Sequence, residues 1–313
     1  MTPLAGSSVG APEAHPERAA RAVPEDEPAS DASAAAEGDE APDTAAPAGP
    51  SAPPPTGPAS FLVLVKGQTV TRKLAMKLSF DMKVDDAGDR TSVHVSGHGD
   101  QEVRFQVLST EGGVANELEL FYLRDHMTME AMGQRDEEAQ PNHGNRYIAR
   151  AAGKAVEVRG FGGKQASPEE LDTAKTDARE LFTMQAAMAA ASAKAQGMVV
   201  TPSSAVPDEL LRSLASDDDQ VKITKRTGSF RSFGKLGSGE TSALADVSFD
   251  LAFADHDLAL EGSMKGLATL GTSPWRALDL KVEGPVTLRG KDEEMDVEMT
   301  GGGRIRMDVT YVY

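Results

Sequence analysis

Histidine, serine, glycine-loop and carboxylate patterns are the places where this sequence could do chemistry. His94 and His98 stand four apart. On an extended strand that spacing spans about 13 Å, too far for both to reach one zinc ion. His126, His143 and His256 fall in or near expected turns and read as surface residues. A serine nucleophile needs a sharp strand-to-helix elbow, and no G-x-S-x-G occurs. Gly262-Ser263-Met264-Lys265-Gly266 has the glycines, but Ser263 stands one place early and inside an expected strand. The run Gly234 to Thr241 is similar to a phosphate-binding loop, yet Glu240 stands where the lysine is required. Gly160-Phe161-Gly162-Gly163 lacks the preceding strand and third glycine of a dinucleotide site. Asp217-Asp218-Asp219 lacks the spaced ligands of a calcium loop. Of Glu293, Glu294, Asp296 and Glu298, three alternate opposite Met295, Val297 and Met299, as a wet sheet face does. The chain has no cysteine, which removes disulfides, thiol catalysis and thiolate metal sites. The expectation is a non-enzyme with no catalytic residue, no metal site and no cofactor.

What remains is physical. Met76, Met82, Met127, Met129, Met264, Met295, Met299 and Met307 all fall on apolar faces. Methionine is flexible and polarizable, so such faces suit apolar ligands of variable shape. The same residues would also fill a core that has few aromatics. The candidate ligand-binding set is Met76, Leu78, Phe80, Met82, Val247, Phe249, Leu251, Met264, Met299 and Met307, and the ligand class is a lipid or acyl chain.

These residues need long strands to align them. From Leu74 to Val84, Leu, Met, Leu, Phe, Met and Val take one parity and Ala, Lys, Ser, Asp and Lys the other. Successive strand side chains point to opposite faces, so this is a β-strand with one dry side. The pattern recurs over Thr91–Ser109, where Gly97 and Gly99 mark an expected bend or bulge. It recurs again over Leu118–Ala131, with a one-residue slip expected at Arg124-Asp125. Residues 133–146 read as a polar loop, and Tyr147–Arg159 as a hairpin. Ser167, Pro168 and Glu170 then spell a helix start with a capping box. Helical spacing continues to Gly197, and a short second helix is expected over Val206–Ala215. Strands return through Ala243–Phe253, Leu258–Met264, Leu278–Leu288 and Met295–Tyr311, the last broken by Gly301-Gly302-Gly303. Pro285 has no N–H to donate and is placed at an edge or a bulge beside Gly284. Trp275 sits in a turn, as a cap on the core or a rim contact. The fold class is mainly β with one long α-helix (α+β): about ten strands in a large curved antiparallel sheet or half-barrel packed on helix 167–197. Residues 61–313 form a single domain with an inserted helical segment over 167–215.

The first sixty residues differ in kind. They hold 17 Ala, 12 of the 18 Pro and no aromatic residue, with ten acidic and two basic side chains, a net of −8. So little apolar surface cannot offset the entropy of ordering, and 1–60 is expected to be a disordered Ala/Pro/acidic linker. Subtracting −8 from the total of −17 leaves −9 for the remainder. An acidic body is repelled by phosphate backbones, so nucleic acid is not an expected partner. No run is long enough for a membrane-spanning helix. Leu4-Ala5-Gly6-Ser7 resembles the end of a bacterial lipoprotein signal with Ser7 in place of the acylated cysteine. Together with the long spacer, this points to a periplasmic or cell-envelope protein whose export signal is absent from this sequence; a cytoplasmic location stays open.

Two stretches resemble one known group. Asn145-Arg146-Tyr147-Ile148-Ala149-Arg150 through Val158-Arg159-Gly160, and Gly262 to Gly290 with Gly266, Leu278, Leu280 and Gly284-Pro285, are similar to hairpins of an uncharacterised family of bacterial exported β-rich proteins. The resemblance covers about 60–313 and departs in lacking a lipid-acceptor cysteine. It implies an envelope location and a large curved sheet, and brings no activity. The layout is also similar to that of half-barrel lipoprotein carriers. The expected function is a non-enzymatic envelope protein with an apolar groove for a lipid or acyl chain. The alternative is a structural or protein-interaction module of the envelope that uses a sheet edge beside Pro285.

Overall fold

The structure is a computed structural model that describes residues 60–86, 89–153, 155–194, 200–215, 221–255, 258–292 and 297–313. The readings made for the N-terminal linker, the three consecutive aspartates at 217–219, His256, Gly197, and Met295 with its carboxylate neighbours lie outside these residues.

Six strands come first: β1 Thr69–Asp86, β2 Asp89–Glu111, β3 Val114–Ala131, β4 Gln134–Ala139, β5 Arg146–Ala152 and β6 Ala155–Gly160. A 3₁₀ turn and two helices follow, α1 Pro168–Lys194 and α2 Asp208–Leu214. Five more strands complete the chain: β7 Val221–Lys235, β8 Thr241–Asp255, β9 Leu258–Thr272, β10 Trp275–Asp292 and β11 Val297–Val312. All eleven belong to one sheet, in the order β6-β5-β3-β2-β1-β11-β10-β9-β8-β7, with β4 paired to β3. Its pairings are antiparallel, and β6 and β7 do not pair with each other, so the sheet is open.

This order explains where the helices lie. The first and last strands are neighbours at the centre, joining two meanders. The chain leaves the first meander at one edge, β6, and enters the second at the other, β7. The connection must therefore cross a face of the sheet. In crossing, α1 packs on β3, β5 and β6 and α2 packs on β7 and β10, while the two helices touch each other. Ala174, Ala178, Leu181, Met184 and Met188 are buried along α1, as are Leu210, Leu211 and Leu214 along α2. They meet the inward residues of both meanders, among them Phe105, Leu120, Tyr147, Phe230, Leu270 and Leu280. Each fully buried large apolar side chain contributes about 1.5–3 kcal/mol.

The expected capping box is present. Glu170 N–H donates to Ser167 Oγ at 3.2 Å, and Ser167 N–H donates to Glu170 Oε2 at 2.6 Å. α2 begins at Asp208 with Pro207 as its N-cap, inside the span expected for the short second helix. The chain slips at Leu123, one residue before the expected place: Glu102 pairs with Arg124, but Val103 pairs with Tyr122. Tyr147–Arg159 forms the β5–β6 hairpin.

Other expectations need correction. Residues 134–139, read as loop, form strand β4 against the far half of β3. Every side chain of β4 is exposed, so no alternation marks it in sequence. Gly97 and Gly99 do not interrupt β2; its irregularities lie at Glu102/Val103 and near Ser109. Gly301-Gly302-Gly303 does not break β11, which runs unbroken past β1 and β10. Pro285 is not at an edge, because β10 is an interior strand flanked by β9 and β11. It takes the other expected place, an irregular stretch beside Gly284 between Ala277 and Val286, where the β9–β10 register shifts. Trp275 is no rim contact: it is 1 % exposed and packs 5.5 Å from Phe230.

Candidate functional site

The inward face of β1 changes character along its length. Val70 and Arg72 are buried beneath the helical layer, and Leu74 is partly covered. At Met76 the cover ends, because Glu169 and Thr173 of the first turns of α1 stand beside Leu74 and Met76. The same face continues, and there Leu78, Met82 and Val84 are half-buried. The register sets Met76 between Gly99 and Met307, Leu78 between Gly97 and Ile305, and Val84 beside Met299. Met127 and Met129 pair with Gly99 and Gly97 on the far side of β2. A Cβ on Gly97 would lie 2.6 Å from Met129 Sδ and 3.1 Å from Leu78 Cγ. The bare glycine thus lets a methionine and a leucine lie flat across β2. The result is an apolar stripe over β1, β2, β3 and β11 with no helix upon it among the described residues.

The ten candidate residues divide across this boundary. Met76, Leu78, Met82 and Met299 lie on the open stripe. Leu251 and Met307 are half-buried at the margin of the core. Val247, Phe249 and Met264 are closed within the core. Phe80 is buried at 7 % exposure, outside the main core and opposite Gly303.

At the head of the stripe, where α1 begins, a pocket of about 230 Å³ opens. Leu74, Met76 and Met127 give it an apolar wall, while Gln101, Asp125, His126, Gln140, Asn142 and Glu169 supply polar groups. Asp125 is 6 % exposed. Burial, reinforced by the charge of Asp177, holds its pKa above the ordinary carboxylate value against a hydrogen bond from Gln101. His143 Nδ1 accepts the Asp125 N–H at 3.3 Å, and the His143 and His126 rings meet edge to face at 4.5 Å. An Asp pKa raised on folding means that stability is lost as the pH climbs from the unfolded value to the folded one, and the loss is complete above it. The loss is absent below the unfolded value, about 3.9. Asp125→Asn is therefore expected to raise the Tm at neutral pH, with the gain shrinking as the pH falls towards 4. Thermal scans across that range check it, and a Tm lowered at neutral pH would contradict it.

Beside the pocket, a buried polar cluster docks α1 on the sheet. Arg72 Nη2 donates to Asp177 Oδ1 at 2.5 Å and to Gln101 Oε1 at 2.5 Å, and its Nη1 donates to Glu180. Tyr122 Oη donates to Asp177 Oδ2 at 2.5 Å, and Tyr311 Oη to Glu180 Oε1 at 3.2 Å. Burial alone would lower the Arg72 pKa, but Asp177 and Glu180 outweigh it and the guanidinium stays charged. Burial and the neighbouring Asp177 charge push the Tyr122 hydroxyl up, so it remains a donor. Sequence reasoning missed this cluster although its signal was present. Arg72 has the dry parity of β1, between Val70 and Leu74, and Asp177 shares the stripe of Ala174 and Ala178.

Apart from the His126–His143 ring contact, the groups weighed for catalysis are engaged singly. His94 Nδ1 meets Asp81 at 2.9 Å and His98 Nε2 meets Asp100 at 2.9 Å. Ser263 Oγ donates to Asp250 Oδ1 at 2.7 Å in mid-strand. Gly234–Thr241 is the β7–β8 hairpin; Phe161–Gly163 is a 3₁₀ turn that, contrary to expectation, does follow a strand, β6, but still lacks the third glycine of a dinucleotide site. No cluster of three or more His, Asp or Glu side chains among the described residues could hold a metal ion. No helix there is long and apolar enough to cross a membrane.

No protein-family model matches the chain, and no curated protein does. Among solved structures, one describing lipid–protein interactions in lipovitellin aligns at 9 % identity and a TM-score of 0.35. It covers 78 % of this chain and 25 % of its own, so the chain spans a quarter of that protein's length. A DUF1329 family protein from Desulfovibrio piger aligns at 8 % identity and a TM-score of 0.12, covering 79 % of this chain and 84 % of its own. At these scores neither likeness assigns a function.

Proposed function

We propose that this protein is a non-enzymatic binding protein of the bacterial cell envelope that holds an alkyl chain against the open stripe of its sheet. The observation that carries the reading is the stripe: Met76, Leu78, Met82 and Met299 are aligned, apolar and partly exposed, and from Leu78 onward no helix lies on them among the described residues. Folded proteins rarely leave a contiguous apolar face open without a use for it. From Met76 to Val84 the stripe runs roughly 26 Å at the usual strand rise. One leaflet of a bilayer is about 15 Å of hydrocarbon, so an acyl chain fits along the stripe at full length. Methionines at its edge can repack around chains of different thickness. The envelope location rests on the Ala/Pro-rich acidic spacer and on the resemblance to exported β-rich proteins.

Native mass spectrometry of the gently purified full chain tests the reading, together with titration of a neutral naphthylamine probe. A lipid-sized adduct and a fluorescence rise on probe binding are expected. A bare protein mass with no probe response would overturn it.

A further inference from the structure

Resting on the alkyl-chain reading, we infer that the pocket at the head of the stripe seats an ammonium group, so that the ligand is an amphiphile with an amine head. The alkyl part has its path in Met76 and Met127, which belong both to the pocket wall and to the stripe. The head then meets carboxylates. Asp100, Asp125 and Glu169 line the pocket, and no lysine or arginine does.

The cations near by are already committed. Arg72, which shares Gln101 with the pocket, is held by Asp177 and Glu180. Asp100 is answered from outside by Arg124 at 3.7 Å and by His98 at 2.9 Å. Asp125 differs. It is 6 % exposed, Gln101 is the side chain that donates to it, and His143 and Arg72 act on it only through their charge, whereas a carboxylate offers about four lone-pair sites. A buried, under-paired carboxylate is unfavourable until a cation reaches it. The burial that raises its pKa agrees with this. Nor does α1 present an anion seat at its start. The capping box consumes the N–H groups of Ser167 and Glu170, and Glu169 adds negative charge at the mouth. A carboxylate or phosphate head would meet like charge with no cation to answer it.

The test compares three probes of one chain length, tetradecylamine, tetradecanol and tetradecanoate, on the full chain at neutral pH below their aggregation limits. The amine should bind about tenfold tighter than the alcohol, with the carboxylate weakest. Asp125→Asn should bring the amine-to-alcohol ratio close to one. Glu169→Gln at the mouth should reduce that ratio in part, and it keeps the test decisive if the first variant does not fold. Tetradecanoate binding as tightly as the amine, or a preference for amine that survives both substitutions, would overturn the inference and leave the alkyl reading standing. If none of the three binds, the alkyl reading falls and this inference with it.

Discussion

Arg72→Met is expected to destabilise the protein by about 3–5 kcal/mol, the range seen when one partner is removed from a buried ion pair. For a folded unit of this size that is a fall in Tm of about 10 °C. The substitution keeps most of the side-chain volume, so cavity formation is a minor part of the loss. What dominates is the fate of Asp177 and Glu180, which lose the guanidinium while still lying between α1 and the sheet. Gln101 loses its donor too, and with it the bridge from Arg72 to Asp125. Adding Asp177→Asn and Glu180→Gln to Arg72→Met should recover part of the stability, since the uncompensated charge is then gone. Urea unfolding of the single and triple variants measures both. A single variant within about 1 kcal/mol of the parent would place this cluster among ordinary surface ion pairs.

The second large effect is expected at the bend between β9 and β10. A Cβ on Gly266 would stand 1.8 Å from the Lys281 carbonyl oxygen, and one on Gly284 would stand 2.0 Å from that of Ser263. Neither obstacle is a side chain that can swing away. Both backbones must part where the register already shifts between Ala277 and Val286, and β9 and β10 are interior strands. Gly266→Ala or Gly284→Ala is expected to cost about 4 kcal/mol or more, at the extreme of single substitutions. Gly302→Ala is the matched comparison. It also lies in an interior strand, but the nearest atom to its added Cβ is 3.9 Å away, so a change within about 1 kcal/mol is expected there. Equal losses at all three positions in thermal unfolding would show that close approach is not the cause.

These two features also mark how far the sequence could be read. Period-two alternation located β1, β8 and β11 because each has one dry and one wet face over most of its length. The capping box located α1 because Ser167 and Glu170 act within one turn of chain. β4 escaped because both its faces are wet, so its pairing to β3 is a backbone matter with no side-chain pattern. For Pro285 the sequence left two places open, an edge or a bulge beside Gly284, and the structure takes the second. The missing N–H of Pro285 excludes a regular ladder position, but an irregular stretch inside the sheet accommodates it as well as an edge does. For the candidate site, parity grouped Met76, Leu78 and Met82 correctly with Val247, Phe249 and Met264 as inward-facing residues. It carried no information on which inward residues the helices cover. That depends on the strand order, which sends the connection from β6 to β7 across one end of the face and leaves the other end open. Arg72 is the instructive miss: a charged residue at dry parity signals a buried partner, and Asp177 on the apolar stripe of α1 is that partner.

The absence of cysteine makes the most direct measurement clean, because a single introduced thiol can carry one environment-sensitive fluorophore. Labels at Leu78→Cys, on the open stripe, and at Lys77→Cys, on the opposite exposed face, bracket one strand of the sheet. On titration with tetradecanol the account predicts a blue shift at position 78 and none at position 77. A label at 78 that does not respond, or equal responses on the two faces, would contradict the claim that the stripe holds an alkyl chain.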